Sequence, residues 1–287
     1  MNFKEILSIC RQNLIGIDAE IEIILSAIEN QIAVVIEGES GTGKTELAKT
    51  LANALDRPFY RVDGDENLTI NKIRGWFDPP LVLKDGFNEK SYVAGPLVRA
   101  MKEGGLFFFN EVNRAPSESI NGVLAVMDER GIEIPQLERM HAISNFYSIF
   151  TLNPLEYVGT NPLPEAFFDR CIIIRLEHKS SEEAERIVKL RTNYSDDELI
   201  SKIVLFTDKT RTFSNFETGA SIRAAIQLTL LLKNKLLTPD VVIPAINAVY
   251  SAKVKLHPDI NKSVEENLLE IAEPIFFPDG IKKKNGT

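Results

Sequence analysis

The chain predicts an α/β sandwich built on a mainly parallel five-stranded sheet, followed by a small α-helical domain. Three observations predict it. Five short β-type runs recur in the first two-thirds of the chain, and most are near-continuously apolar, as strands buried on both faces are. Helix-like segments separate them, which gives the βαβ alternation of a parallel sheet. After Leu176 the pattern turns helical up to about residue 272.

Taken in order, IAVVIE (32–37) is the first strand, and the helix Thr45–Leu55 follows it across a glycine-rich loop. FYRVD (59–63) and LFFF (106–109) are the second and third strands. A helix over Ser117–Arg130 comes next, with Pro116 near its first turn, where the missing N–H costs nothing. FYSIFTL (146–152) and CIIIRL (171–176) complete the sheet, the latter placing Cys171 in the core. Ser180 and Glu183 are spaced as a capping box opening SSEEAERIVKLR. Thr238 and Pro239 offer an N-cap and an N1 proline for PDVVIPAINAVYSA, which Pro244 shifts or kinks. A boundary near 177–181 divides an α/β core, residues 1–178, from a helical domain, 179–273, and a tail, 274–287.

The totals suit a folded chain: 287 residues, 44% hydrophobic and 26% charged. No stretch approaches the roughly 18 consecutive apolar residues of a membrane helix. The start, MNFKEILSICRQNL, lacks the apolar core and cleavage site of a signal peptide, so a cytoplasmic location is expected. Cys10 and Cys171 have no Cys or His at ligand spacing, which argues against a disulfide framework or a zinc site. A net charge of −8 argues against broad nucleic-acid binding, and Lys282–Lys284 reads as a solvated end.

The strongest chemical signal is GESGTGKT, comprising Gly38, Glu39, Ser40, Gly41, Thr42, Gly43, Lys44 and Thr45. It matches G-x-x-x-x-G-K-[ST] between a strand and a helix, as in the P-loop NTPase fold. Glycines at this spacing let backbone N–H groups turn toward phosphate oxygens, and the helix dipole adds favourable potential. Lys44 is expected on the β- and γ-phosphates of ATP, and the Thr45 hydroxyl on Mg2+. LFFFNE places Asn110 and Glu111 at the C-terminal edge of the sheet, where ligands bind in open α/β folds. Glu111 is the candidate to polarise an attacking water.

In motif order the sequence resembles the AAA+ ATPases, and within them the MoxR group with its helix-2 insert. The resemblance rests on GESGTGKT, GPLVRA (95–100), GGLFFFNEVNRAP (104–116), FTLNP (150–154), GTNPLPEAFFDR (159–170) and TGASIRAA (218–225). LVLKDGFNEKSYVA looks like the helix-2 insert, IEIPQLERMHAISN (132–145) like the pre-sensor-1 hairpin, and the helical domain like a lid. The resemblance implies that Asn153 is sensor 1, Arg170 an arginine finger serving the neighbouring subunit, and Arg223 sensor 2. Each arginine would stabilise charge spread over a loose phosphoryl-transfer transition state. Arg170 also has the option of pairing with Asp169, and Arg223 of being an exposed helix residue. Arg114 could make an interface contact, a phosphate contact or an intrachain salt bridge. Trp76 and Phe77 form either a substrate-facing loop or a packing patch, and Phe107–Phe109 are core.

In the family pattern residue 110 is Asp, which holds magnesium mainly through bound water. Asn110 still offers a carbonyl oxygen but no charge, and losing an outer-shell partner costs about 10–100-fold in metal affinity or activity. A slow or magnesium-demanding ATPase is the expectation, with Asn110→Asp raising metal affinity. The resemblance further implies a hexameric homo-oligomeric ring and a chaperone-like role toward a protein client, with von Willebrand factor A domain proteins as partners. Two other readings are a nucleic-acid motor of the MCM or McrB type, and a nucleotide-binding subunit with little turnover.

Overall fold

The computed structural model describes residues 3–154 and 162–280. The first three residues of GTNPLPEAFFDR and the basic end Lys282–Lys284 lie outside the described residues. The chain divides into two compact units, with the division between Glu177 and His178.

The first unit is built on five strands: β1 (Ala33–Glu37), β2 (Phe59–Asp63), β3 (Leu106–Asn110), β4 (Tyr147–Leu152) and β5 (Cys171–Arg175). They pair in the order β2-β3-β4-β1-β5, every neighbour parallel, as the apolar runs predict. The period of two along β3 sends alternate rings to opposite faces. Phe108 joins Val34, Ile36, Leu47 and Ile24 in one core. Phe107 and Phe109 join Val35, Leu97, Met101 and Ile120 in the other. All three rings are fully buried, and each contributes on the order of 1.5–3 kcal/mol of apolar burial.

The edge strands behave differently because one flank of each is uncovered. In β2, Tyr60 and Val62 are buried while Arg61 and Asp63 are exposed. In β5, Ile174 is buried but Ile173 is 42% exposed, and Cys171 is only half-buried rather than a core residue. Its Sγ donates to the carbonyl of Phe167 at 3.3 Å.

The segment resembling an insert, 81–94, carries most of a short helix Pro79–Asp85 and the strand Tyr92–Ala94, which pairs antiparallel with Gly75–Phe77 ahead of it. Asp78 caps that helix by accepting from the Leu81 N–H at 3.1 Å. The alternatives for Trp76 and Phe77 divide between them. Phe77 packs edge-on against Phe87 and Tyr92, whereas Trp76 is 48% exposed. A second hairpin pairs Gly131–Ile132 with Met140–His141.

The second unit has five helices, Ser181–Thr192, Asp197–Thr212, Ile222–Leu232, Pro239–Tyr250 and Val264–Phe276, around a core that includes Val188, Ile200, Phe206, Leu228 and Tyr250. The Ser180–Glu183 capping box forms, with bonds of 2.9 and 3.2 Å. Thr238 takes the N-cap position, but its side chain makes no capping bond, and the helix continues through Pro244. The unit is not purely helical, because Phe216–Thr218 pairs with Lys255–Leu256. Runs of two and three residues carry too little periodicity to be read from sequence. Among the described residues no helix is long and apolar enough to cross a membrane.

Candidate nucleotide site

The loop Gly38–Thr45 leaves the end of β1, where the Gly38 N–H donates to the Leu152 carbonyl of β4 at 3.3 Å. Gly41 and Gly43 adopt the left-handed backbone, with φ of 87° and 99°. Such turns align successive N–H groups into an anion-binding concavity. Gly43 is also the N-cap of the helix Lys44–Ala54, so the loop ends at a helix N-terminus. Lys44 is buried, and its Nζ donates to the carbonyls of Gly38 (2.5 Å) and Glu39 (2.9 Å). The Thr42 hydroxyl donates to Glu39 O at 3.0 Å, while Ser40 is exposed and Thr45 half-buried at the start of the helix.

Asn110 ends β3, and Glu111 follows in a left-handed conformation (φ 52°, ψ 50°), a region a β-strand residue seldom enters. Non-glycine residues held there store about 1–3 kcal/mol and concentrate at functional sites. Two contacts hold the turn. The Glu111 N–H donates to Thr151 Oγ1 of β4 at 2.9 Å, and Gly64 N–H, just after β2, donates to the Asn110 carbonyl at 2.8 Å. Gly64 lies so close that a Cβ there would overlap the Glu111 carbonyl oxygen.

The side chain of Asn110 lies between two partners. Its Nδ2 donates to Asp63 Oδ1 at 2.9 Å, and its Oδ1 accepts from Thr151 Oγ1 at 3.0 Å. Asp63 in turn accepts from Arg61 Nε through both oxygens, at 3.0 and 2.9 Å. Burial pushes the Asp63 carboxyl up, but the bonds from Arg61 and Asn110 outweigh it and hold the group below its ordinary value.

Of the three options for Arg114, the structure has the intrachain pair: its Nη1 donates to Glu111 Oε2 at 2.9 Å. Asn153 is buried just beyond β4, and its carbonyl accepts from Asn113 Nδ2 at 3.3 Å. Arg170 does not pair with Asp169. Its Nε donates to Asp128, on the helix Ser117–Glu129, and its Nη1 to the Ala166 carbonyl at 2.6 Å. Arg223 is exposed in the first turn of the helix Ile222–Leu232, in the second unit.

The C-terminal edge of β2, β3, β4 and β1 therefore brings together Asp63, Asn110, Glu111, Thr151, Asn153 and the loop. Asp63, Thr151, Gly64 and Asp128 were not picked out in the sequence. Asp63 closes the run FYRVD and Thr151 is the next-to-last residue of FYSIFTL, so both lie at the C-terminal ends of runs that read as strands. Among the described residues there is no cluster of three or more His, Cys, Asp or Glu able to hold a metal. The Thr45 hydroxyl and the Asn110 amide oxygen are oxygen donors of the kind Mg2+ takes, alongside phosphate oxygens. Thr45 and Asn110 would be its side-chain partners.

Known proteins resemble this chain in sequence and in fold. Residues 33–171 match the AAA domain family, dynein-related subfamily. An uncharacterised protein of Staphylococcus saprophyticus is 31% identical over 202 residues, covering 68% of this chain and 76% of that protein. One from Staphylococcus aureus is 32% identical over 205 residues, covering 69% and 77%. Among solved structures, a candidate ATPase of Cytophaga hutchinsonii aligns over 93% of this chain and 92% of its own, with TM-score 0.55 and 22% identity. A proline-to-glycine variant of Thermotoga maritima RuvB aligns over 82% and 71%, with TM-score 0.53 and 16% identity. At those identities the two structures show the shared fold. The phosphate loop at the strand edge and the matches across it lead to one conclusion: the chain belongs to the AAA+ ATPase family, with an AAA domain of the dynein-related subfamily.

Proposed function

We propose that the chain is a MoxR-type ATP hydrolase that acts as a chaperone-like remodelling factor on a protein client, working from a hexameric homo-oligomeric ring in the cytoplasm. Proteins with von Willebrand factor A domains are the client class the resemblance suggests. The observation that carries the hydrolase reading is the meeting of the phosphate loop, Glu111 and Asn153 at one sheet edge.

The loop N–H groups and Lys44 hold the β- and γ-phosphates, Lys44 exchanging its bonds to Gly38 and Glu39 for phosphate oxygens. Magnesium, when bound at Thr45 and near Asn110, neutralises charge on those phosphates. Glu111 accepts the proton of the attacking water. Arg114 Nη1 donates to Glu111 Oε2, and Oε1 is the oxygen assigned to that water. Attack forms one bond to the γ-phosphorus as the bond to the β–γ bridging oxygen breaks, and ADP and phosphate leave. Asn153 fixes the water. Arg170 reaches the neighbouring subunit's ATP, which makes hydrolysis depend on assembly, and Arg223 serves as the sensor 2 arginine that the resemblance implies.

The test is phosphate release measured against magnesium and protein concentration for wild type, Glu111→Gln and Arg170→Ala. Turnover at millimolar magnesium is expected, with Glu111→Gln binding ATP and stalling, and Arg170→Ala losing the concentration dependence. No turnover by an assembled ring at saturating magnesium and ATP would overturn the hydrolase reading. Asn110 favours the second reading, a nucleotide-binding subunit with little turnover, which that same result would support.

A further inference from the structure

The hydrogen bonds along the sheet edge run in one direction. The Glu111 backbone N–H can only donate, and it donates to Thr151 Oγ1 at 2.9 Å. The hydroxyl then gives its own proton to Asn110 Oδ1 at 3.0 Å. At the far end the carboxylate of Asp63 can only accept, and it takes the Asn110 Nδ2–H at 2.9 Å. Both ends of the run are thus fixed by chemistry. The Asn110 amide cannot turn over without setting its Oδ1 against the Asp63 carboxylate, acceptor to acceptor. Its Oδ1 spends one lone pair on Thr151 and keeps the second.

The strand register explains why the two residues meet. Asp63 and Asn110 are Cα partners on the last rung of β2 and β3. Side chains directly opposite on neighbouring strands interact, and like charges there are destabilising. An acid at both positions would set two carboxylates against each other. One acid and one amide make a hydrogen bond.

We infer that Asp63 is the positioning residue of the magnesium side of this site, holding the Asn110 amide so that its carbonyl oxygen can serve a metal-bound water. Asp63 and Asn110 form one unit in which the acid stands on β2 instead of β3. This deepens the nucleotide reading above and rests on it. It predicts the opposite of the expectation that Asn110→Asp alone raises metal affinity. With Asp63 opposite, that change exchanges a hydrogen bond for a repulsion. Only Asn110→Asp together with Asp63→Asn restores one acid and one amide.

The test uses Mn2+ as a spectroscopic stand-in for magnesium. Its affinity for the protein with a non-hydrolysable ATP analogue is read by electron paramagnetic resonance in wild type, Asp63→Asn, Asn110→Asp and the double swap. Thermal melting of each variant is measured alongside. Asp63→Asn should bind Mn2+ about tenfold more weakly, the lower end of an outer-shell loss, and Asn110→Asp should not bind it more tightly. The double swap should return to within about twofold of wild type, a coupling that independent sites would not show. Unchanged Mn2+ affinity in Asp63→Asn, with nucleotide still bound, overturns this inference alone. Additive effects in the double swap do the same. If Asp63→Asn does not fold, the swap decides: wild-type affinity upholds the pair, and weaker binding refutes it. Wild type that binds no nucleotide overturns the proposed function and this inference with it.

Discussion

Gly64 offers the sharpest test of how the site is built, because it is far in sequence from the motif it supports and has no side chain of its own. Its N–H donates to Asn110 O at 2.8 Å, and an added Cβ would come within 3.0 Å of the Glu111 carbonyl carbon and overlap its oxygen. Ordinary carbon–oxygen contacts lie at about 3.3–3.6 Å, so Gly64→Ala requires the Glu111 backbone to move by about 1 Å. The neighbour is backbone, so no rotamer change relieves the clash. Overpacking of this kind costs about 1–3 kcal/mol of stability. The larger effect falls on chemistry, since a displacement of about 1 Å at a catalytic group can cost on the order of 100-fold. The assay compares phosphate release with binding of a fluorescent ATP analogue. Gly64→Ala should lose at least tenfold in turnover while binding nucleotide within a few-fold of wild type, as the phosphate loop is untouched. Turnover equal to wild type would refute the claim that Gly64 shapes the Glu111 turn.

Three further outcomes are expected. Lys44→Ala should abolish detectable nucleotide binding by calorimetry, since it removes the one charge that the loop itself contributes to the phosphates. Ser180→Ala should lower stability by about 1 kcal/mol through loss of the capping box, read as a shifted denaturant midpoint with unchanged slope. Burial pushes the Cys10 thiol from 9.0 to about 11, so the folded state favours the protonated form. That contribution is complete below pH 9 and is lost as pH rises toward about 11. The melting temperature of wild type should therefore fall faster than that of Cys10→Ala across this window, and parallel curves would refute the assignment.

The sheet was legible because its signal is local. Val34–Ile36 and Phe107–Phe109 are runs whose every residue is apolar, and covering both faces with helices leaves no other composition possible. The phosphate loop was legible for the same reason, as its glycines, lysine and threonine act within eight consecutive positions. Asp63 and Thr151 were not, although both lie at the C-terminal ends of strands that the sequence predicts. Their meaning comes from lying on either side of Asn110, and strand order β2-β3-β4 is a property of the fold rather than of any window. Cys171 was misplaced by the same limit: an apolar run does not announce whether its strand is central or at an edge.

For Arg170 and Arg114 the observed ion pairs and the proposed catalytic roles need not compete. Arg170 rests on Asp128 and Arg114 on Glu111, both as ion pairs with their side chains one-third to one-half exposed. Pairs so open to water are worth about 0–1 kcal/mol, because solvent screens the charges and the long side chains lose freedom. A guanidinium facing a phosphate makes charge-assisted bonds roughly twice as strong as neutral ones, often two in parallel. The resting partners therefore set where each arginine waits without fixing it there. Asp128 costs little to leave, and Arg170 stays partly exposed, where a second copy of the chain could meet it. An arginine buried in a fully satisfied network would need several kcal/mol to release and could not serve across an interface.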